Sequence, residues 1–385
     1  MDRHRYRALR PEKTPLFTTS VYTFPSLGAV EDYYGGNEAG QYLYRRNGHP
    51  NGAVLEAALA NLERTEAAFL CSSGMAAIAQ ACFAHLRPGD HVIATSWLYG
   101  GTYAFFEEIL RPFGIAVDYA PLDNEAELER LWTPATRLIY TESIANPLLQ
   151  VADIPHLAKF AASRTAMLFV DNTFATPQLV RPCVLGATLS IHSLTKFLNG
   201  HSDVIAGAVT GNHDVVEKVR RFGVTFGGTL APFDAWMTER GLETFGVRYP
   251  VQCKNAVEVS RFLESHPLVK RVYYPGLPSH PSHSLAKQVL TGGFGAMLSF
   301  ELEGGYREAD ELVRKLAMIE FAPSLGGTRT TLSHPASTSH RAYTPEQREQ
   351  LGVTDGLLRM SVGVEPSEEL LADLEQGFSA LSNDV

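Results

Sequence analysis

Lys196 is the residue best placed to do chemistry, because of what stands around it in the sequence. It follows Ser193 and Thr195 in the run Ser190-Ile-His-Ser-Leu-Thr-Lys196, which alternates apolar and hydroxyl-bearing residues and breaks at Gly200. Upstream, the apolar run Ala166-Met-Leu-Phe-Val170 ends in the carboxylate of Asp171. Further upstream, Ser72-Ser-Gly-Met75 follows the apolar run Ala67-Ala-Phe-Leu-Cys71. An amine, an anion and small donors at strand ends match the three needs of pyridoxal 5'-phosphate: an aldehyde that takes an amine, a ring nitrogen that takes an anion, and a phosphate. Taken singly, each residue has an ordinary reading: Ser72 or Ser73 as a helix cap, Asp171 as a turn cap, Lys196 as a surface lysine. Taken together they form a spaced set of phosphate cradle, carboxylate and amine.

The elements that must position this set read as alternating strands and helices. Strands are expected over 67–71, 91–95, 116–119, 137–141, 166–171 and 189–192, and helices over 53–63, from 72, and over 103–110, 125–131 and 154–163. Such alternation predicts an α/β fold with a mostly parallel central sheet and helices on both faces. Ligands then gather at the carboxyl ends of the strands, where Ser73, Tyr99, Glu142, Asp171 and Ser193 all fall. The first fifty residues, rich in Pro, Thr, Tyr and Gly, read as an extended arm. A long helical stretch over 233–265 interrupts the alternation. Strands over 269–274, 296–302 and 357–362 follow, with helices over 306–317 and 367–381. The expected organisation is an arm over 1–50, a cofactor-binding domain over 51–245 and a smaller C-terminal α/β domain over 246–385.

Composition narrows the class. The chain has 385 residues, 45% hydrophobic and 19% charged, as expected of a globular protein with a large core. A net charge of −9 argues against a general nucleic-acid binder. Four cysteines stand far apart without CxxC spacing, so free thiols in a reducing cytoplasm are expected, and no metal site. No apolar stretch approaches the ~20 residues that cross a bilayer, and no apolar run follows the basic N-terminus. Signatures for dinucleotide-binding, P-loop, zinc-protease and nucleophile-elbow sites are absent.

The ordered segments Tyr44-Arg-Arg-Asn-Gly-His-Pro50, Ser72-Ser-Gly-Met75, Tyr99-Gly-Gly-Thr102, Glu142-Ser-Ile-Ala-Asn-Pro147, Asp171-Asn-Thr-Phe174, Ser193-Leu-Thr-Lys196, Ser324-Leu-Gly326, His334-Pro-Ala336 and Arg359-Met-Ser-Val-Gly363 resemble the Cys/Met-metabolism, or trans-sulfuration, family of pyridoxal-phosphate enzymes. The resemblance runs from about Thr14 to the C-terminus and implies the fold-type-I architecture. It implies that Lys196 carries the cofactor's aldehyde and later shuttles protons, and that Asp171 pairs with the ring nitrogen. Gly74, Met75, Ser193 and Thr195 would hold the phosphate, and Tyr44 and Arg46 would reach it from a neighbouring subunit. Tyr99 would stack on the ring and act as an acid or base, and Asn146 would bond the phenolic oxygen. Ser324 and Arg359 would hold the substrate α-carboxylate. His201 and His334 are expected to be structural, and Glu142 to orient the Asn146 loop.

Three departures bear on the substrate. His49 stands where many family members have Asn. Gly101 follows Tyr-Gly where methionine γ-lyases often have Cys, as it does in the cystathionine enzymes. Arg329 follows Ser324-Leu-Gly-Gly where cystathionine-using members commonly carry Glu, and a cation there would favour an acidic or neutral side chain. The expected activity is γ-elimination on a cystathionine-, methionine- or homocysteine-type amino acid, yielding a 2-oxo acid, ammonia and a thiol. The rivals are γ-replacement on an O-acylhomoserine and a catalytically silent binding protein of the same fold. A cytoplasmic homo-oligomer is implied, with a dimer as the minimal unit and a tetramer as the full assembly.

Overall fold

In the computed structural model, residues 11–36, 41–122, 124–341 and 343–382 are described. Two sheets organise them. The first contains β1 (Ala67–Cys71), β2 (His91–Thr95), β3 (Ala116–Ala120), β4 (Thr136–Glu142), β5 (Met167–Asp171), β6 (Leu189–Ser193) and β7 (Gly207–Gly211). Their order is β1-β7-β6-β5-β4-β2-β3, and β7 alone runs antiparallel to its neighbours. The second sheet contains β8 (Val269–Tyr273), β9 (Met297–Leu302), β10 (Glu320–Phe321), β11 (Thr331–Ser333) and β12 (Leu357–Ser361) in the order β10-β11-β12-β9-β8. The expected α/β class with a mostly parallel central sheet is what the chain adopts.

The central strands are apolar throughout because both faces are covered. Period-two alternation divides their side chains between two cores. Val92, Leu138, Tyr140 and Phe169 point toward the helices Gly74–His85 and His213–Phe226. Ile93, Ile139, Leu168 and Val170 point toward Pro50–Glu63, Ile154–Ser163 and Phe245–Ser265.

Several local expectations change. The arm is not wholly extended: a helix, Leu27–Tyr34, begins at the Ser26 cap, whose hydroxyl accepts from Ala29 N. Residues 1–10 and 37–40 of the expected arm lie outside the described residues. Thr14 and Pro15 dock on the chain's own body, through Trp236 Nε1–H to Thr14 O (2.9 Å) and Asn51 Nδ2–H to Pro15 O (3.0 Å). The helical stretch over 233–265 is two helices, Pro232–Leu242 and Phe245–Ser265. The departure at His49 is a capping choice. Its Nδ1 accepts from Gly52 N (2.9 Å), which leaves Nε2–H to donate to Leu230 O (3.1 Å), so the ring starts the helix Pro50–Glu63 and ties it down.

That helix ends on a fully buried carboxylate. Glu63 Oε1 accepts from His192 Nε2 (2.5 Å), Ser190 Oγ (2.8 Å) and Asn172 Nδ2 (3.1 Å), which joins the helix to β6 and to the turn after Asp171. Removing one member of a buried charged network leaves the others unpaired. Glu63→Ala is therefore expected to destabilise the fold by about 3–5 kcal/mol, read as a lower unfolding midpoint in urea. A variant as stable as the parent would show that the network carries no such weight.

Candidate active site

One cavity of about 650 Å³ opens at the carboxyl ends of β4, β5 and β6. Its lining includes Lys196, Asp171, Ser193, Thr195, Gly74, Met75, Tyr99, Asn146 and Arg359. Residues more than 280 positions apart in the chain are thus brought to one space. Ser324 does not line it, although its neighbours Pro323 and Leu325 do.

The amine and the carboxylates sit in a charge-poor setting. Lys196 is half-buried on the turn after β6. Burial, with the Arg359 charge, pushes its pKa down, which favours the neutral, nucleophilic amine. Glu142 and Asp171 are register partners at the ends of β4 and β5. Burial raises both carboxyls, and the Asp171 charge raises Glu142 further. Thr173 N–H donates to Asp171 Oδ1 (3.0 Å), and the Thr173 hydroxyl accepts from Ser193 N (2.9 Å), so one threonine ties the two strand ends together. Glu142 Oε1 accepts from the backbone N–H of Tyr99 at 2.5 Å, so Glu142 anchors Tyr99. Tyr99 itself is 46% exposed.

Arg359, on β12, is buried, and burial brings its pKa down to about 10. Its Nη1 donates to Asn146 Oδ1 at 2.7 Å. Its Nε and the Asn146 Nδ2 are both buried without a partner among the described residues. Two unsatisfied donors beside a cavity mark where acceptors are missing. Two neighbouring carboxyls, both raised by burial, mark where a positive charge is missing.

The helix Gly74–His85 begins at this cavity, with Ser73 Oγ accepting from Ala76 N at 3.0 Å. A Cβ on Gly74 would lie 2.8 Å from Ser193 Cβ, so glycine is what lets the helix N-terminus close on the Ser193 hydroxyl. Backbone N–H groups, the positive helix end and two hydroxyls then face one place, which suits a phosphate. Gly326, at φ +81°, packs on the Lys196 backbone, where a Cβ would come within 2.8 Å of Lys196 C.

The donor set fits pyridoxal phosphate: an amine of lowered pKa, an anion for a protonated ring nitrogen, a helix end for the phosphate and free donors at Asn146 and Arg359. Among the described residues, no group of three or more His, Cys, Asp or Glu is placed to hold a metal.

Other sequence-predicted residues lie elsewhere. Tyr44 and Arg46 are outside this cavity. Arg46 lies 5.5 Å from the Tyr44 ring centroid and donates to Val224 O at 2.6 Å. Arg329 does not line the cavity either: its side chain is 75% exposed and pairs with Glu320 at 2.7 Å. His334 is buried with both ring nitrogens bonded, to Ser337 Oγ (2.8 Å) and Asp355 O (2.9 Å). His201 is exposed, and its Nδ1 meets Asn199 O at 2.7 Å. Sequence reasoning missed the segment over 337–341, which supplies Ser337, Thr338, Ser339 and Arg341 to the lining. The only signal was the His334-Pro-Ala336 motif just before it.

Gly74→Ala is expected to weaken pyridoxal-phosphate binding by about tenfold or more, the scale of one lost charge-assisted contact. Cofactor titration of the apoprotein by absorbance measures this, and an unchanged affinity would separate the close approach from phosphate binding.

Comparisons with known proteins agree with this chemistry. The profile of Cys/Met metabolism PLP-dependent enzymes matches residues 2–379. An L-methionine gamma-lyase of Fusobacterium nucleatum subsp. polymorphum is 44% identical over 370 residues, 95% of this chain and 93% of that one. An O-succinylhomoserine sulfhydrylase of Pseudomonas aeruginosa is 39% identical over 366 residues, 95% of this chain and 90% of that one. The solved cystathionine gamma synthase of Xanthomonas oryzae pv. oryzae superposes with a TM-score of 0.92 at 37% identity, covering 97% of this chain and 94% of that one. With its amine, paired carboxylates and helix end in one cavity, the chain belongs to the pyridoxal-phosphate enzymes of cysteine and methionine metabolism.

Proposed function

We propose that this enzyme is a carbon–sulfur lyase that performs γ-elimination on an amino acid of the cystathionine, methionine or homocysteine type. The products are a 2-oxo acid, ammonia and a thiol. The observation that carries the reading is the shared cavity of Lys196, Asp171 and Arg359, and the 44% identity to a methionine gamma-lyase supports elimination. γ-Replacement on an O-acylhomoserine uses the same residues until the leaving group departs. The 39% identity to an O-succinylhomoserine sulfhydrylase supports it as the second reading.

Held at Lys196, pyridoxal phosphate supplies a ring that accepts the electron pair left when the α-proton departs. The chain's own groups manage the protons and the charges. Lys196, its pKa lowered, takes a proton from Cα and passes it on. Arg359 grips the α-carboxylate, using the Nε that has no protein partner. Asn146 fixes the Arg359 fork by accepting from Nη1 and keeps its own Nδ2 free for the cofactor's phenolic oxygen. Asp171 would pair with the cofactor's protonated ring nitrogen, whose positive charge would offset the burial that raises its carboxyl. Tyr99, its backbone pinned by Glu142, lines the cavity with an exposed phenol that would stack on the cofactor's ring and could give or take a proton there.

Gly74, Met75, Ser193 and Thr195 hold the phosphate; Ser324, which does not line the cavity, is assigned no contact with the substrate. Arg329 is not included, because its guanidinium faces Glu320. Tyr44 and Arg46 serve the phosphate of a neighbouring subunit, which makes a dimer the minimal unit and a homotetramer the full assembly. Their position outside this chain's own cavity supports that reading. We also place the domain boundary near residue 245, between the sheet that ends at Gly211 and the one that begins at Val269. The free thiols of Cys71, Cys82, Cys183 and Cys253 support a cytoplasmic location. Among the described residues, no helix is long and apolar enough to cross a membrane.

Lys196→Ala is expected to abolish 2-oxo acid release from homocysteine and methionine and to remove the visible absorbance of the lysine-bound cofactor. Asp171→Asn is expected to lower kcat by about 100-fold or more, the scale of a lost electrostatic partner in an active site. Retained turnover in Lys196→Ala would sink the mechanism.

A further inference from the structure

The cavity holds three cations of this chain, and the chemistry above uses two of them. Lys196 takes the cofactor and the protons, and Arg359 takes the α-carboxylate. The third is Arg341, an exposed residue that lines the same cavity beside Ser337, Thr338 and Ser339. Among the described residues, no carboxylate pairs with its guanidinium.

Arg341 does not hang on a loose loop. His340 N–H donates to Pro335 O (2.9 Å), and the Thr338 hydroxyl donates to His334 O (2.7 Å). The Tyr343 ring stacks on His340 (5.2 Å) and on Tyr103 (4.5 Å). The Ser339 carbonyl presses on Gly100, where a Cβ would lie 2.1 Å from it. The segment is thus seated on the helix Gly100–Phe105, directly after Tyr99. Burial, with the charges of Arg359 and Arg348, pushes the His340 pKa down to about 4, so His340 stays neutral and Arg341 is the charge here.

We propose that Arg341 is a specificity-determining residue that binds the far end of the substrate, a γ-substituent that terminates in a carboxylate. The proposal rests on the reading of the cavity as that of a γ-carbon enzyme, and it names the class of leaving group. A guanidinium meets a carboxylate through two parallel N–H bonds, a fit that a methyl or acetyl end cannot supply. A distal ammonium is repelled. Arg329, the cation that the sequence suggested for this task, is engaged with Glu320 instead.

The test uses the pyridoxal-phosphate holoenzyme and three substrates: O-succinyl-L-homoserine, O-acetyl-L-homoserine and L-methionine. The two esters share everything but the terminal carboxylate. Release of 2-oxobutanoate gives kcat and KM for the parent, Arg341→Met and Arg341→Lys. The parent is expected to favour the succinyl ester. In Arg341→Met, the succinyl-to-acetyl ratio of kcat/KM is expected to fall about 10- to 100-fold, mostly through KM, the scale of a lost charged hydrogen bond. Lysine should restore part of the ratio.

An unchanged ratio overturns the proposal, and so does weaker pyridoxal-phosphate affinity in Arg341→Met, which would assign the residue to the cofactor's phosphate. A parent active on these compounds but indifferent at Arg341 sinks this proposal alone. A parent inert toward all three sinks the functional reading and this proposal with it.

Discussion

A single buried guanidinium sets the frame on which the site depends. Arg248 donates to the carbonyls of Phe197 (3.2 Å), Leu198 (3.3 Å), Asn199 (3.1 Å) and Gly241 (3.0 Å), and to the Thr244 hydroxyl (2.9 Å). The first three carbonyls belong to the turn that follows Lys196. Turn carbonyls have no ladder to satisfy them, so their partner must come from elsewhere. Burial lowers the Arg248 pKa from its ordinary value, and neutral acceptors in a fixed fork offset that cost. The rest of the helix Phe245–Ser265 repeats the device. Tyr249 donates to Phe174 O and Ala175 O, Gln252 to Gly327 O and Val362 O, and Asn255 to Gly363 O and Glu365 O. One polar helix face thereby clamps the turns after Asp171, Lys196, Ser324 and Arg359.

Much of this was legible in the sequence where local pattern and global fold agree. The strand His91–Thr95 and the helices Glu125–Leu131 and Ile154–Ser163 fall where apolar spacing puts them. The cavity residues from Ser73 to Lys196 follow from the strand-end rule, because each stands just after a buried apolar run. What escaped depends on partners distant in sequence. Gly207–Gly211, with glycine at both ends, is not among the expected strands, yet β1 and β6 on either side make it one. The helix Leu27–Tyr34 buries none of its residues and shows no core-facing stripe. The break between Leu242 and Phe245 is hidden because helix formers stand on both sides of it.

Arg329 illustrates a different limit. Its identity was plain, but its direction was not. Approaching β11, neighbours alternate: Thr330 turns inward, where its N–H and hydroxyl donate to Glu365, and Arg329 turns outward to Glu320. One position along the chain decides between the protein interior and solvent.

The two sheets divide labour at the site. Asp171 and Lys196 are set by two adjacent strands of the first sheet, while the segment over 337–341 leaves β11 of the second sheet and reaches the cavity from its rim. If Arg341 selects the substrate as proposed, electron-withdrawing chemistry and the choice of molecule are written in separate stretches of sequence. A lineage can rewrite the rim, residue by residue, while the reactive floor stays as it is. Divergence of substrate within this architecture then needs only a short insertion, deletion or exchange in one peripheral turn.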